Sequence, residues 1–349
     1  MADKNKKEET ERKEDGKFEH LLPGVRKWLP LSIPERIRLT KRDVFVPYPL
    51  AVQALDYMND LIDSPINDRP ENVMLTGMPG SGKTSILSRW ERLQTPAASL
   101  PPESLLVTSM PGGGKTTLVQ QAISGVIVDQ TAPVVIRPVV RITVPPGGKS
   151  DLITELLGAL GYDTQIRSAS TDIRAARVCN ALNLCGTKVI ILDDINNLKE
   201  TATGKLSHAT WETLKFIRFL SDKLRIHMIY TGDETSAAII GQEASLRTRM
   251  NTVELAPWRN NIETAKLLRG VEATLPLAEP SNLGERARTS LIFSLGKEAD
   301  RDGREGRLLY LVKIPKKAAQ FALAAKREHI EDEDLEKAAE WYGRVRRTR

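Results

Sequence analysis

Residues 77–84 have the spacing of a phosphate-binding loop. In Gly77-Met-Pro-Gly-Ser-Gly-Lys83-Thr84, a lysine and a hydroxyl side chain follow a glycine-rich turn. The glycines let the backbone curl around an anion with its N–H groups pointing inward, and the following helix directs its positive end at the same anion. In this pattern the lysine reaches the β- and γ-phosphates of a nucleotide, and the hydroxyl group holds Mg²⁺. The loop therefore predicts binding of ATP by Lys83 and of Mg²⁺ by Thr84. The residues expected to contact the nucleotide are Gly77, Met78, Pro79, Gly80, Ser81, Gly82, Lys83, Thr84 and Ser85.

The same passage occurs twice in the chain. Residues 70–87, PENVMLTGMPGSGKTSIL, return at residues 102–119 as PESLLVTSMPGGGKTTLV. The second copy has Ser109 where the first glycine should be, and a side chain at this tight turn is a smaller defect than loss of the lysine. We expect Lys83 to be the working lysine, with the second loop as the alternative. The residues of that alternative loop are Gly112, Gly113, Gly114, Lys115 and Thr116.

Two acidic residues end an apolar segment further along the chain. The sequence Lys188-Val-Ile-Ile-Leu-Asp193-Asp194 contains the short apolar run of a strand that is buried on both faces of a parallel sheet. Open α/β sheets bind ligands at the carboxyl ends of their strands, which is where both acids stand. We expect Asp193 to hold Mg²⁺ and Asp194 to orient and activate the water that attacks ATP. The alternative is a strand that ends in a solvated turn.

The elements that must position these residues alternate between strands and helices. Such alternation predicts an α/β fold with a doubly wound parallel sheet. From about Ile262 the apolar spacing is helical throughout, which predicts a small C-terminal helical lid domain. Strands are predicted at residues 73–75, 138–144, 188–193 and 226–231, and helices at residues 34–41, 49–62, 85–93, 150–160, 174–184, 211–224, 314–326 and 332–342.

Composition limits the class of protein. The 349 residues carry a formal net charge of +6, which favours a polyanion partner, most simply nucleic acid. The basic segment Gly343–Arg349, taken alone, is equally typical of a solvated tail. No apolar run approaches the length of a membrane span, and the charged N-terminus lacks the apolar core of a signal peptide, so we expect a cytoplasmic protein. The two cysteines and four histidines have neither disulfide nor metal-site spacing.

Further short motifs occur in a fixed order around the glycine-rich loop and the two acids. The most distinctive is Leu275-Pro-Leu-Ala-Glu-Pro-Ser-Asn-Leu283. The others are His20–Trp28, Pro34–Arg38, Tyr48-Pro, Ser64–Arg69, Val144-Pro-Pro, Asn197-Leu198 and Leu255–Trp258. In this order the motifs resemble the AAA+ ATPases of DNA transposition, the TniB and TnsC group, over about residues 18 to 345.

The resemblance implies an AAA+ ATPase that regulates transposition. Such a protein assembles with ATP on target duplex DNA without sequence specificity, forms a ring or helical filament, recruits or activates a transposase, and disassembles on hydrolysis. The implied partners include a TniQ-like target-selection protein and no membrane. Two alternatives stay open: a helicase-loader-like remodeller of DNA, and a nucleotide-dependent DNA scaffold that hydrolyses little.

The resemblance also implies roles for residues beyond the loop and the acids. Asp233 follows the sensor strand near the γ-phosphate, and Arg307 matches the sensor arginine of the lid domain. Arg249 matches the arginine that one subunit inserts into the ATP site of its neighbour, with Arg247 as the alternative. Contact with DNA is expected at Lys149, Arg167 and Thr171.

The chain departs from the family pattern in two places. The family has one phosphate-binding loop, so we interpret residues 70–101 and 102–133 as a tandem duplication within the core. Asp194 stands where the family has glutamate, and because aspartate is one methylene shorter, we expect slow hydrolysis. The domains expected are a disordered tail at 1–17, a helical segment at 18–62, the ATPase core at 63–261, the lid at 262–345 and a basic tail at 346–349.

Overall fold

The structure is a computed structural model that describes residues 18–43, 45–65, 69–94, 136–162, 170–198, 206–300 and 302–347. The predicted tail at residues 1–17, the second glycine-rich loop with Lys115, and Arg167 lie outside these ranges. Elements are numbered below within the described part of the chain.

A parallel sheet of five strands is the centre of the fold, in the order β2-β3-β4-β1-β5. Every residue of β1, β3 and β4 is buried, because each of these strands has neighbours on both sides and apolar side chains on both faces. The carboxyl ends of β1, β3 and β4 therefore lie side by side at one edge of the sheet. The strands are β1 Asn72–Thr76, β2 Val139–Thr143, β3 Val189–Asp193, β4 His227–Gly232 and β5 Met250–Glu254.

One compact unit, called here the sheet unit, comprises Leu50–Gly77 and Lys83–Leu255. Its core joins four strands, β1 to β4, to the surrounding helices through side chains such as Ile142, Leu152 and Ile217. The helices of this unit are α3 Pro49–Asp63, α4 Lys83–Gln94, α5 Lys149–Ala159, α6 Thr171–Leu184, α7 His208–Leu224, α8 Ser236–Gly241 and α9 Ala244–Arg247, with a 3-10 turn at Ile195–Asn197.

Serine caps set the starts of two of these helices. The Ser170 hydroxyl accepts a hydrogen bond from the backbone N–H of Ile173 at 3.4 Å, and the Ser207 hydroxyl accepts one from Thr210 at 3.1 Å. Such caps satisfy N–H groups that have no partner within the helix. Helices α6 and α7 therefore begin three residues before the starts at 174 and 211 that apolar spacing predicts.

The second compact unit, called here the helical unit, comprises the chain up to Pro49, the loop tip Met78–Gly82 and residues from Ala256 onward. Arg36 ties its early and late parts together by donating from Nε to the Pro276 carbonyl at 2.9 Å and from Nη1 to Glu328 at 2.8 Å. No helix in the described ranges is both long and apolar enough to cross a bilayer. The helices of this unit are α1 Pro23–Arg26, α2 Ile33–Thr40, α10 Ile262–Glu272, α11 Arg286–Ala299, α12 Leu308–Ala324 and α13 Asp332–Arg347.

Candidate nucleotide-binding site

The loop Gly77–Thr84 connects the carboxyl end of β1 to the start of α4. Gly80 has φ +84° and Gly82 has φ +102°, in the region that side chains other than glycine rarely adopt. The Ser81 N–H donates to the Met78 carbonyl at 3.1 Å and closes the turn between them. The backbone therefore has the tight curl that the glycine spacing predicts.

Lys83 is the first residue of α4, and its Nζ donates a hydrogen bond to the Gly77 carbonyl at 2.6 Å. Partial burial lowers the pKa of this lysine, while the charges of Asp194, Asp193 and Asp233 oppose that shift. The ammonium group is thus folded back over its own loop, and it lies within the electrostatic influence of three carboxylates. A phosphate group placed in the loop would replace the neutral Gly77 carbonyl with an anionic acceptor for the Lys83 ammonium group.

Asp193 ends β3, and both of its carboxylate oxygens have partners. Thr231, in the neighbouring strand β4, donates its hydroxyl to Oδ1. Arg141, in the strand on the other side, donates from Nη2 to Oδ2 at 2.5 Å. The side chain of Asp193 is 9% exposed, so the arginine compensates a carboxylate that has lost most of its hydration.

Asp194 is exposed and turns the chain at the end of β3. Its backbone is left-handed, with φ +59°, a conformation that aspartate tolerates better than most residues. Its backbone N–H donates to the Thr231 hydroxyl at 3.2 Å. Partial burial and then the charge of Asp193 raise the pKa of the Asp194 carboxyl, against the opposing charges of Lys83 and Arg141. A raised pKa makes the Asp194 carboxylate a better proton acceptor than an ordinary aspartate.

Asp233 begins the turn after β4 and caps helix α8. Its Oδ1 accepts from the backbone N–H groups of Thr235 at 3.0 Å and Ser236 at 3.2 Å, and from both hydroxyl groups. Burial raises the pKa of this carboxyl, but these hydrogen bonds outweigh it and lower the pKa overall. Asp233 is therefore an ionised cap that also contributes negative charge near Lys83.

The chemistry of these residues fits Mg²⁺ held together with a nucleotide. No cluster of three or more acidic, histidine or cysteine side chains suited to a metal occurs in the described ranges. Mg²⁺ usually takes one or two protein oxygens and completes its shell with phosphates and water, so a dedicated cage is not needed. Thr84 is exposed at the start of α4, and Asp193 supplies the carboxylate. Arg141 pairs with the same Asp193 carboxylate, so it would compete with Mg²⁺ for that group.

Arg141 is a site residue that sequence patterns did not identify. It lies in the middle of β2, and its Nη1 also donates to the Ser88 hydroxyl at 3.0 Å. The available signal was a single charged residue inside the apolar run Val139–Val144. A charge at such a position needs a buried partner, but the sequence does not say which acid provides it.

We expect Arg141→Ala to lower the free energy of unfolding by roughly 3 kcal/mol, because it leaves the buried Asp193 carboxylate without its cation. Urea unfolding of the nucleotide-free protein measures this loss. The double variant Arg141→Ala/Asp193→Asn is the control, and it should be more stable than Arg141→Ala alone because no unpaired charge remains. Wild-type stability of Arg141→Ala would contradict the pairing.

Arg249 lies away from Lys83 within the sheet unit. Its carbonyl accepts a hydrogen bond from Asn72 at 2.8 Å, which places it at the amino end of β1. Since β1 has five residues, the strand alone separates the two ends by about 16 Å. The Arg249 Nη1 donates to Asp222 at 2.6 Å. Arg249 is thus positioned at the opposite edge of the sheet from the loop of its own subunit.

The remaining predicted residues have local partners. Lys149 and Thr171 begin α5 and α6, and the Lys149 Nζ lies 3.9 Å from Asp172 and 5.6 Å from the centre of the Phe216 ring. In the helical unit, Arg307 is 8% exposed and pairs with Asp300 and Asp302, each at 2.8 Å. The guanidinium of Arg307 is therefore neutralised by two carboxylates.

Solved structures share the fold at low sequence identity. The Aeropyrum pernix ORC2 protein in its ADPNP–ADP complexes is 14% identical, with a TM-score of 0.54 over 87% of this chain and 71% of that one. The Aeropyrum pernix ORC1 protein in complex with DNA is also 14% identical, with a TM-score of 0.49 over 86% and 68%. The likeness to ORC2 shows the fold alone. The predicted class, an α/β AAA+ fold with a parallel sheet and C-terminal helices, is confirmed.

Sequence comparison identifies the family. No curated protein matches the chain. The family model described as bacterial TniB protein matches residues 36–104 and 93–260. Together these segments run from residue 36 to residue 260, more than half of the 349 residues, and each contains one copy of the repeated glycine-rich passage. The chain therefore belongs to the bacterial TniB family.

Proposed function

We propose that this protein is an ATP-dependent regulator of DNA transposition. The observation that carries the proposal is the electrostatic interaction of Lys83, in the loop after β1, with Asp193 and Asp194 at the carboxyl end of β3, in a chain of the TniB family. The protein assembles with ATP on target duplex DNA, recruits or activates a transposase with a TniQ-like target-selection protein, and disassembles on hydrolysis.

ATP binding is assigned to the loop Gly77–Ser85 and hydrolysis to the two acids. Lys83 exchanges the Gly77 carbonyl for the β- and γ-phosphates. Thr84 and Asp193 would hold Mg²⁺, which would neutralise charge on the phosphates. Asp194 orients the attacking water and accepts its proton, which its raised pKa favours.

Completion of the site is assigned to a neighbouring subunit. Because Arg249 lies at the far end of β1 from Lys83, it serves the ATP site of another copy rather than its own. An arginine supplied in this way stabilises the charge that develops on the transferred phosphate. Hydrolysis then depends on assembly, so ATP turnover follows formation of the complex on DNA.

DNA contact is assigned to the surface at the starts of α5 and α6. Lys149 and Thr171 lie there, and the sequence between these helices contains Arg167, which is outside the described residues. Helix starts present backbone N–H groups and a positive dipole end, which suit phosphate groups. Contacts of this kind position a protein on DNA without reading its sequence.

We expect the protein to bind duplex DNA of any sequence, more tightly with a nonhydrolysable ATP analogue, and with affinity that falls steeply as salt rises. Lys149→Ala should weaken binding and reduce the slope of log K against log salt by about 1, because one phosphate contact is lost. Fluorescence anisotropy at several salt concentrations measures both quantities. Lys266→Ala, at an exposed lysine of the helical unit, is the matched control. Strong sequence preference, or indifference to nucleotide, would argue against the proposal.

A second candidate, a DNA scaffold with little hydrolysis, is favoured by Asp194. The aspartate is shorter than glutamate by one methylene, and the left-handed backbone at this residue fixes where the short side chain starts. A complex that forms with ATP on DNA and never releases phosphate would favour the scaffold. Phosphate release that increases with DNA would favour the regulator.

A further inference from the structure

Some of the buried polar atoms that lack a hydrogen-bond partner among the described residues lie in the helical unit around the loop tip Met78–Gly82. They include the Tyr48 hydroxyl, the Ser81 hydroxyl and Arg307 Nε. Native proteins satisfy nearly all buried polar atoms, so each exception requires an explanation. Several exceptions at one loop point to a ligand that supplies the missing partner.

Tyr48 is the most informative of the three because its surroundings are rigid. The residue is 8% exposed, and its ring meets that of Trp258 edge-on, with 5.1 Å between centres and 71° between planes. Trp258 is itself held by Gly306, whose carbonyl accepts from the Trp258 N–H at 2.9 Å. The tyrosine ring is therefore fixed on one side, and its hydroxyl group has a defined position.

The hydroxyl group lies beside Gly82. A Cβ atom built on Gly82 would come within 3.2 Å of the Tyr48 oxygen and within 2.6 Å of Leu308. In loops of this sequence, backbone N–H groups surround the α- and β-phosphates of the nucleotide. The Tyr48 oxygen is thus next to the backbone that would hold those two phosphates.

The chemistry of the phenol matches a phosphate oxygen. A phenolic O–H donates one hydrogen bond, and phosphate oxygens only accept. Burial raises the pKa of Tyr48 to about 12, so the group keeps its proton at neutral pH. Hydrogen bonds from a neutral donor to a charged acceptor are stronger than those between neutral groups.

We propose that the Tyr48 hydroxyl donates a hydrogen bond to an oxygen of the α- or β-phosphate of the bound nucleotide, which makes Tyr48 a ligand-contacting residue outside the glycine-rich loop. The inference rests on the proposed function, since it places the nucleotide in the loop Gly77–Thr84. It also predicts which nucleotides benefit from the contact: the α- and β-phosphates are common to ADP and ATP, so both should bind more tightly.

Tyr48→Phe tests the proposal because it removes the hydroxyl and keeps the ring against Trp258. We expect the Kd values for ADP and for a nonhydrolysable ATP analogue to rise by the same factor, roughly ten- to a hundred-fold, as for loss of a hydrogen bond to a charged group. Equilibrium titration with each nucleotide in the presence of Mg²⁺ measures both constants. Unchanged constants, or a change for the ATP analogue alone, would overturn the proposal.

Thermal unfolding without nucleotide separates a ligand contact from a structural hydrogen bond. Without nucleotide, a buried hydroxyl group that has no hydrogen-bond partner lowers the stability of the protein. Removing it in Tyr48→Phe should therefore not lower the Tm. Tyr230→Phe is the matched control: its hydroxyl is also buried without a partner among the described residues, in strand β4, and it should leave nucleotide affinity unchanged. A Tm several degrees lower for Tyr48→Phe would show that the protein itself uses this hydroxyl, and would refute the proposal.

Failure of this proposal is distinguishable from failure of the proposed function. If Lys83→Ala abolishes nucleotide binding and Tyr48→Phe has no effect, the loop is the site and Tyr48 is not part of it. If Lys83→Ala leaves binding intact, both assignments fall together.

Discussion

We expect Lys83→Ala to abolish ATP binding, with a Kd more than about a hundred-fold higher, whereas Lys115→Ala should leave most of the binding. Only one loop can follow the strand between β4 and β5, and β1 with Gly77–Thr84 occupies that place. The Lys83 ammonium group is close enough to Asp193, Asp194 and Asp233 for their charges to act on its pKa. Titration of each variant with a fluorescent ATP analogue measures the two constants.

The two copies of the passage provide a matched pair of substitutions. The same change, lysine to alanine at the same place in the same motif, is made once in each copy, so differences in size or charge cannot explain a different outcome. Thermal unfolding of both variants without nucleotide confirms that each is folded. Equal loss from both, or loss only from Lys115→Ala, would overturn the assignment to Lys83.

The central strands were predictable because burial on both faces leaves a plain signal. The apolar runs at residues 73–75 and 189–192 lie in β1 and β3, where every residue is buried. Strand β5 was missed for the opposite reason. It is an edge strand in which only Val253 is buried, so its sequence, MNTVE, has no apolar run. Its place in the sheet comes from pairing with β1, which the local sequence does not encode.

The site residues that belong to one short stretch of sequence were predictable. Contacts between residues that are distant in sequence were not. The loop residues and the two acids are fixed by short motifs. Arg141 and Asp193 are far apart in sequence and meet because β2 and β3 are neighbours in register. The pairs of Arg307 with Asp300 and of Arg249 with Asp222 are likewise products of packing. A motif identifies an arginine, but its partners decide what it is free to do.

Arg249 shows this most clearly, because its pairing gives two explanations for any loss of activity. Its Nη1 donates to Asp222, which also lies 3.4 Å from Arg218, and Arg218 pairs with Glu243 at 2.8 Å. Replacing Arg249 therefore removes an ion pair within the subunit and a charge that we assign to the neighbouring subunit. Asp222→Ala separates the two, since it removes the pair and keeps the arginine.

We expect Arg249→Ala to keep ATP binding by the single subunit and to lower DNA-stimulated hydrolysis by roughly a thousand-fold or more, because the missing charge belongs to the neighbour's site. Asp222→Ala should retain most of the hydrolysis. Phosphate release in the presence of duplex DNA measures both. Equal loss in the two variants would mean that Arg249 acts through the ion pair inside its own subunit.

Mixing two inactive variants tests the geometry directly. Asp194→Asn should permit assembly and block turnover, because it removes the water-orienting carboxylate and keeps Asp193. An interface with Asp194 from an Arg249→Ala chain and Arg249 from an Asp194→Asn chain is intact, and about a quarter of interfaces in an equimolar random assembly are of this kind. Hydrolysis should therefore return in the mixture. If the two variants co-assemble at every ratio and no hydrolysis returns, Arg249 does not act on the neighbouring site, and Arg247, exposed at the end of α9, takes its place in the same experiment.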